Sequence, residues 1–367
     1  MAAEQAANNV NKEKTIAFLC PYPVGGAPSQ RFRYEQYLPL LAQRGFSYQI
    51  FPFLDQKTNA VLYQPSRYGA KVTGVLRGFI RRITLLFRLN AFDFVFIHRE
   101  AAPMGPPLLE WLIARVWRKK VIYDFDDAIW LSDRQTSRLS RIIKWRAKVA
   151  ATCQWSHQVS CGNAYLAAFA REHNPQVIVN PTTIDTEHHH HRIQQQDTLL
   201  PVIGWTGSHS TLSYLNSLVP VLKQLERQFA FQFLVIANRP PAFQLTSLRF
   251  VAWQHATEID DLLRMHIGLM PLPDDPWARG KCGFKALQYL ALGIPALVSP
   301  VGVNTEVVEH GVNGFYCRTA EDWYEHLAYL LTHPQERAVM GKAGRATVEE
   351  RYSVRANANN FLDLFKN

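Results

Sequence analysis

Short apolar runs alternate with amphipathic stretches along almost the whole chain. In the first half, the runs Thr15 to Cys20, Ser47 to Phe53, Phe92 to His98, Lys120 to Phe125, Val159 to Cys161 and Val177 to Val179 have the length and the β-branched or aromatic bias of buried strands. Helical spacing appears between them, as in Ser29 to Arg44 and Val75 to Leu89. The pattern restarts at Val202 to Ser208 and continues with Phe231 to Ala237, Arg249 to Val251, Ile267 to Pro271 and Ala296 to Ser299. Asp322 to Leu331, Pro334 to Glu350 and Val354 to Phe365 read as closing helices. Strand and helix in regular alternation predict parallel sheets covered on both faces, here an α/β protein of two doubly wound, Rossmann-like domains. The expected boundaries are a disordered N-terminus over 1–14, a first domain over 15–185, a linker over 186–200, a second domain over 201–350 and a last helix within 351–367.

Length and composition agree with this division. The chain has 367 residues, enough for two domains of ordinary size, and is 47% hydrophobic, which suits packed cores rather than disorder. The five cysteines are scattered without metal-ligand spacing, which argues for a reducing compartment and against both a disulfide framework and a zinc site. The polar start has no apolar signal core, and no apolar run is long enough to span a bilayer, so a cytoplasmic location is expected. The four consecutive histidines His188 to His191 could face a metal only in part, and a solvated interdomain linker accounts for them better.

Charge changes the picture more. The formal net charge is +10, and it is concentrated in the first half. Between Arg67 and Lys120 there are eleven Lys and Arg against Asp93, Glu100 and Glu110, and from Arg134 to Lys148 there are six basic residues and no acid. Such an excess points to anionic lipid, a phosphorylated acceptor or nucleic acid. No nucleic-acid motif is present and the basic positions lack interleaved aromatics, so no nucleic-acid partner is expected. In Val75 to Leu89, positions 75, 76, 79, 80, 83, 86 and 87 fall on one helical side, which predicts an inward apolar face, with Arg77, Arg81 and Arg88 opposite. Arg134, Arg138, Arg141, Lys144 and Lys148 form a second basic stripe. Solvated helix faces and an anionic membrane surface account for these stripes equally well.

The chemistry is concentrated in Gly280-Lys281-Cys282-Gly283-Phe284-Lys285-Ala286-Leu287-Gln288-Tyr289-Leu290-Ala291-Leu292-Gly293-Ile294-Pro295, followed by an apolar run and by Pro300-Val301-Gly302-Val303-Asn304-Thr305-Glu306. A basic, glycine-bearing loop that opens a helix is suited to holding a diphosphate. The stretch, through Val312-Asn313-Gly314-Phe315, resembles the donor-binding segment of retaining glycosyltransferase family 4, whose GT-B fold pairs two Rossmann-like domains around a crevice. The resemblance implies a first domain that binds the acceptor, a second that binds a nucleotide sugar, and a last helix that crosses back onto the first. It further implies transfer with retention from a nucleoside diphosphate sugar to a hydroxyl of a glycan or lipid-linked acceptor; the basic stripes would put that reaction peripherally at the inner membrane face. UDP or GDP would be the product, with no metal and no further cofactor.

Within that frame Arg279, Lys281 and Lys285, with the backbone around Cys282, Gly283 and Phe284, would neutralise the leaving diphosphate. Gly204-Trp205-Thr206-Gly207-Ser208 resembles the turn that faces the diphosphate; Gly204 and Gly207 allow close approach, and Thr206 and Ser208 offer hydroxyls. Trp253 falls where such enzymes frame the base, or else belongs to the core, and Glu306 falls in the donor segment. The family's two glutamates, eight positions apart, are replaced by Gly280 and Gln288. Glutamine can still bond a ribose diol, while Asp274 or Asp275 would have to stand in for the first glutamate. His266 likewise stands where the family usually has an aspartate.

On the acceptor side, Tyr123-Asp124-Phe125-Asp126-Asp127 ends a strand, and Asp126 matches the position near the transferred sugar. Asp124 and Asp127 serve equally as caps of a following helix or as direct contacts. The Asp124–Asp126 spacing also matches a metal motif of the other major transferase fold, which the rest of the chain argues against. Gly25 and Gly26 permit a tight loop over donor and acceptor, and Arg31 and Arg33 either grip an anionic acceptor or are solvated helix residues. His98 and Arg99 end a strand, with Glu100 available to pair with Arg99. The rival readings are a GT-B sugar-nucleotide epimerase, which needs a carboxylate set not evident here, and a basic nucleic-acid- or membrane-binding protein without catalysis.

Overall fold

A computed structural model describes residues 14–62, 64, 66–131, 144–196 and 200–366. Twelve strands form two six-stranded sheets among these residues, and every strand pairing is parallel. The first sheet contains β1 (Lys14–Cys20), β2 (Phe46–Pro52), β3 (Phe94–His98), β4 (Lys120–Phe125), β5 (Gln158–Cys161) and β6 (Val177–Val179), in the order β2-β1-β3-β4-β5-β6. The second contains β7 (Val202–Gly207), β8 (Gln232–Ala237), β9 (Leu248–Ala252), β10 (Ile267–Met270), β11 (Ala296–Val298) and β12 (Gly314–Tyr316), in the order β12-β11-β10-β7-β8-β9. The central strands β1, β3 and β4 are almost wholly buried, as parallel strands covered on both faces must be. Both orders reverse direction at one point, between β1 and β3 in the first sheet and between β7 and β10 in the second. In open parallel sheets ligands bind outside the carboxyl ends of the strands at that point.

The chain divides into a first unit of 1–180 with 358–367 and a second of 181–357. The first core is aromatic. Phe361 of the terminal helix Ala358–Leu362 stacks on Tyr37 with ring centroids 4.2 Å apart, and Phe365 packs on Phe18, Phe94 and Phe96. The second core gathers Trp205, Phe233, Leu269 and Leu297 against Leu218, Leu222 and Leu327.

Several expectations change on contact with the structure. The helix expected over Ser29 to Arg44 is three short pieces, Pro28–Arg31, Glu35–Tyr37 and Leu38–Gln43. Tyr34 leaves helical geometry at φ −138°, and Pro39 begins a new helix rather than extending an old one. The strand β12 was not anticipated; only three residues long, it has too little pattern to register. The last helix is shorter than expected, and the change of unit comes at Ala358.

The histidine tract is not a solvated linker. His190 is fully buried, and the Arg345 guanidinium donates to the carbonyls of Thr186 (2.9 Å) and Ala291 (2.6 Å). Gln194 N–H donates to Leu292 O at 2.8 Å, and Arg337 Nε to Gln196 Oε1 at 3.0 Å, so the stretch is bound along the second unit. The basic stripe at Arg134, Arg138 and Arg141 and the N-terminal residues 1–13 lie outside the described residues. Lys148, the stripe's last member, is no solvated residue: it is 5% exposed, donates to Ala102 O at 2.8 Å and pairs with Glu100 at 2.5 Å.

Candidate functional site

The switch point of the second sheet brings together the segments singled out in the sequence. Gly204 to Gly207, expected as a turn, are the last residues of β7 itself, with Ser208 just beyond it; β10 runs into the loop that carries 274–283, and the helix Phe284–Ala291 packs back across both. Tyr289 Oη clamps this arrangement by accepting from Thr206 N–H at 3.0 Å and donating to Leu269 O at 3.2 Å. Gly283 is the N-cap, in the left-handed region at φ 67°, where a side chain would be strained. Leu287 N–H closes on Gly283 O at 3.0 Å, so the amides of the preceding first turn lie outside the intrahelical pattern, at the positive end of the helix.

The three cations differ. Lys281 Nζ lies over the Trp277 ring at 5.0 Å and Lys285 Nζ over the Trp205 ring at 5.4 Å, both half-buried at the loop and helix start. Arg279 is instead a surface residue held in a fork by Asp274, at 2.7 and 3.1 Å, and that hydrogen bonding lowers the Asp274 pKa. Asp275 accepts from Ala278 N–H at 2.7 Å as the cap of the helix Pro276–Arg279. Both aspartates proposed to replace the first glutamate are thus engaged locally.

The glycines of β7 answer to packing. A Cβ on Gly204 would stand 2.2 Å from Met265 Sδ, and one on Gly207 2.5 Å from the Trp205 ring. Thr206 is buried, while Ser208 is exposed and shares a 2.8 Å hydrogen bond with Ser210. Cys282 is buried with Sγ 3.9 Å from Gly280 O, Phe284 is half-buried, and Glu306 is exposed on the helix Asn304–Val307. Gln288 is 2% exposed, with Nε2 3.5 Å from His190 Nε2, so it sits in the wall of the site rather than on its surface. Trp253 is half-buried and donates from Nε1 to Glu258 Oε1 at 3.2 Å; Glu258 Oε2 lies 3.3 Å from His189 Nε2. His266 is buried and accepts from Val202 N–H at Nδ1, 3.2 Å, which is a structural contact. Sequence reasoning missed Tyr289, Glu258, His189, His190 and Asn304. Asn304 is fully buried, donates to Ser299 O at 2.9 Å, and has Oδ1 3.9 Å from where a Gly283 Cβ would stand. Its only signal was its place in the recognised stretch.

In the first unit the switch between β1 and β3 gathers the loop after β1, the end of β3 and the end of β4. Gly25, at φ 74°, donates its N–H to Glu35 Oε2 at 2.9 Å, and a Cβ on Gly26 would meet Pro23 O at 2.8 Å. Gln30 pins the same loop through both Tyr22 backbone groups, at 2.8 and 3.0 Å, and donates to Glu35 Oε1 at 3.1 Å. Burial raises the Glu35 pKa against the pull of these donors.

Arg33 cannot grip an acceptor. It is 1% exposed, its guanidinium pairs with Asp124, and it also donates to Ser160 Oγ at 3.2 Å and to Asn180 O. Asp124 also receives His98 Nδ1 at 2.9 Å and Ser160 Oγ at 2.6 Å. Burial opposes its ionisation, but Arg33 and His98 outweigh that and hold the carboxyl well below the usual carboxylate range. Asp124 is therefore engaged in a buried network rather than capping a helix, and His98, fully buried beside it, is not at the surface where an acceptor would bind. Arg31 is buried too, with its guanidinium over the Phe32 ring at 4.9 Å. Arg99, at φ 61°, reaches across to Asp126 (2.8 Å from Nε) and Asp127 (2.5 Å), while Glu100 turns to Lys148; the Arg99–Glu100 pair does not form. Asp126 and Asp127, 14% and 16% exposed, remain at the rim of this site. Among the described residues no cluster of His, Cys, Asp and Glu is placed to hold a metal ion.

Residues 222–363 match the glycosyl transferase-like family model. No curated protein matches the chain by sequence. Solved structures do match over nearly its full length. Sucrose-phosphate synthase from Thermosynechococcus elongatus aligns with a TM-score of 0.71 at 14% identity, covering 96% of this chain and 98% of that one. Anabaena HepE in complex with UDP-glucose gives 0.63 at 13% identity, over 95% and 98%. The catalytic domain of starch synthase IV from Arabidopsis thaliana, bound to ADP and acarbose, gives 0.66 at 11% identity, over 96% and 98%. The two parallel sheets have the GT-B architecture. The match to the glycosyl transferase-like family model lies within the second half and includes the 280–315 stretch singled out in the sequence.

Proposed function

We propose that this protein transfers a sugar, with retention and without a metal, from a nucleoside diphosphate sugar to a hydroxyl of a glycan or lipid-linked acceptor at the inner membrane face. The observation that supports it best is the place of Lys281, Lys285 and the Gly283-capped helix start in the segment after β10, at the switch point of the second sheet, with Lys285 Nζ over Trp205 of β7. Fixed positive groups there suit a diphosphate. In this reading the bond from the anomeric carbon to the diphosphate oxygen breaks while the acceptor oxygen bonds to the same face. The acceptor's proton passes to the leaving phosphate, and UDP or GDP departs with its charge met by the lysines and the helix start. Trp253 and Gln288 line the nucleoside end, with Glu258 fixing the indole. Asp126, held by Arg99, orients the acceptor. No further cofactor enters this scheme.

The test is a thermal-shift screen with UDP, GDP, ADP and their sugars, since a ligand that binds the native state raises its apparent stability by mass action. The hit is then incubated with and without an acceptor extract. Acceptor-dependent release of the nucleoside diphosphate supports transfer. Interconversion of the sugar on the nucleotide without acceptor would point to an epimerase instead, and no shift with any nucleotide would remove the reading.

A further inference from the structure

The helix Tyr68–Leu86 is turned the opposite way from what its sequence pattern suggests. Val75 and Phe79 pack inward, but Tyr68, Val72, Leu76, Ile80, Ile83 and, at the C-cap, Phe87 are 50–78% exposed. At 3.6 residues per turn these six fall within an arc of about 120°, one continuous apolar stripe about 30 Å long. The buried face carries Gly74, Gly78 and Arg82 instead. The glycines allow close contact, since a Cβ on Gly74 would stand 2.2 Å from Thr58 and one on Gly78 2.6 Å from Phe53. Arg82 is held by three carbonyls, Ala101 O at 2.6 Å, Phe51 O at 2.7 Å and Cys20 O at 2.9 Å. These contacts fix the rotation of the helix, so the outward stripe is part of the fold.

A stripe of this size on a surface helix marks an interaction site. Its charge says with what. Arg77, Arg81 and Arg88 lie beyond one side of the stripe, about 120–160° from its middle, Arg67 and Lys71 lie at the start, and the helix has no acidic residue. Arg67, Arg77 and Arg88 are exposed. The neighbouring helix Leu108–Trp111 exposes Leu108 and Trp111, while its Leu109 packs on the same small cluster as Val75 and Phe79. A second copy of the chain would bring like charge against like charge. No described helix is long and apolar enough to cross a membrane.

We propose that this helix lies in the headgroup region of an anionic bilayer, its apolar stripe inserted and its arginines on the lipid phosphates. The inference rests on the membrane-side part of the proposed function and gives it a specific surface.

The experiment is flotation of the full chain with vesicles of phosphatidylcholine alone or with about 30% phosphatidylglycerol, at low and moderate salt. Binding to the anionic vesicles is expected. Leu76→Ser/Ile80→Ser/Ile83→Ser should lower it at least about tenfold, and Arg77→Glu/Arg88→Glu should lower it and reduce its salt dependence. The substituted side chains are exposed, so melting temperature and nucleotide-induced shift should match the wild type. Those shifts also separate the two readings, because a failed donor assignment leaves vesicle binding untouched. Absence of wild-type flotation, or equal flotation of the serine variant, overturns the proposal. So does a concentration-dependent dimer that the serine variant abolishes while no vesicles are bound.

Discussion

Arg33 and Asp124 meet as a buried ion pair across 91 positions of sequence, joining the segment after β1 to the end of β4. Both side chains are within 1% of full burial. The pair is completed by His98 and Ser160 on the carboxylate and by Asn180 O on the guanidinium, so the network ties together β3, β4, β5 and the end of β6.

Removing one partner leaves the other charge buried without compensation. Arg33→Ala is expected to destabilise the protein by about 3–5 kcal/mol. Arg33→Met/Asp124→Leu should recover part of that loss, because an apolar pair carries no unmet charge. Urea unfolding of the single and double variants measures both, and a double variant weaker than Arg33→Ala would sink the account.

The same network sets an acid limit. The folded pKa of Asp124 is depressed, so its contribution is fully present above the unfolded value of about 3.9 and declines as pH falls from there through the folded pKa. The stability gap between wild type and Asp124→Asn should therefore be constant from about pH 7 to pH 5 and narrow below about pH 4. A gap that narrows as pH rises instead would contradict the sign.

How legible this was in the sequence depends on what each feature needed. Strands such as Lys120–Phe125 and Val177–Val179 were read to the residue, because apolar runs between turn signals are local information. The loop at 280–283 was legible as part of a long contiguous stretch. The roles of Arg33, His98 and Arg82 were not, since a charged residue buried by distant partners looks the same in sequence as a solvated one. Periodicity likewise found the helix Tyr68–Leu86 but not its rotation, which Gly74, Gly78 and the three carbonyls on Arg82 decide. His190 was hidden for the same reason: a polar tract gave no hint that Arg345 would bind it down.

Gly283→Ala tests the backbone of the loop proposed to hold the diphosphate. At φ 67° an alanine is strained by roughly 1–2 kcal/mol, and its Cβ would press on Val303 at 3.1 Å and Val307 at 3.2 Å. The expected outcome is a modest drop in melting temperature with a larger loss of nucleotide affinity, as the helix start shifts. Isothermal titration with the nucleotide found in the screen measures it, and unchanged affinity would detach this loop from the diphosphate.

The cations around the loop should separate by their surroundings. Lys281 and Lys285 are half-buried, each set on an indole face at the helix start, whereas Arg279 is an exposed member of a surface pair with Asp274. Loss of a preorganised donor to a leaving group costs about 10²-fold or more in turnover. Lys281→Ala or Lys285→Ala is therefore expected to lower turnover on that scale for the residue that meets the diphosphate. Arg279→Ala should change it by less than about tenfold, since an exposed ion pair contributes little. Turnover of the wild type should survive excess chelator, because fixed ammonium groups and helix amides take the place of a divalent ion. Steady-state release of nucleoside diphosphate reads all four conditions. If both lysine variants and their double variant run at the wild-type rate, or if chelator abolishes activity and added metal restores it, the charge of the leaving group is met elsewhere.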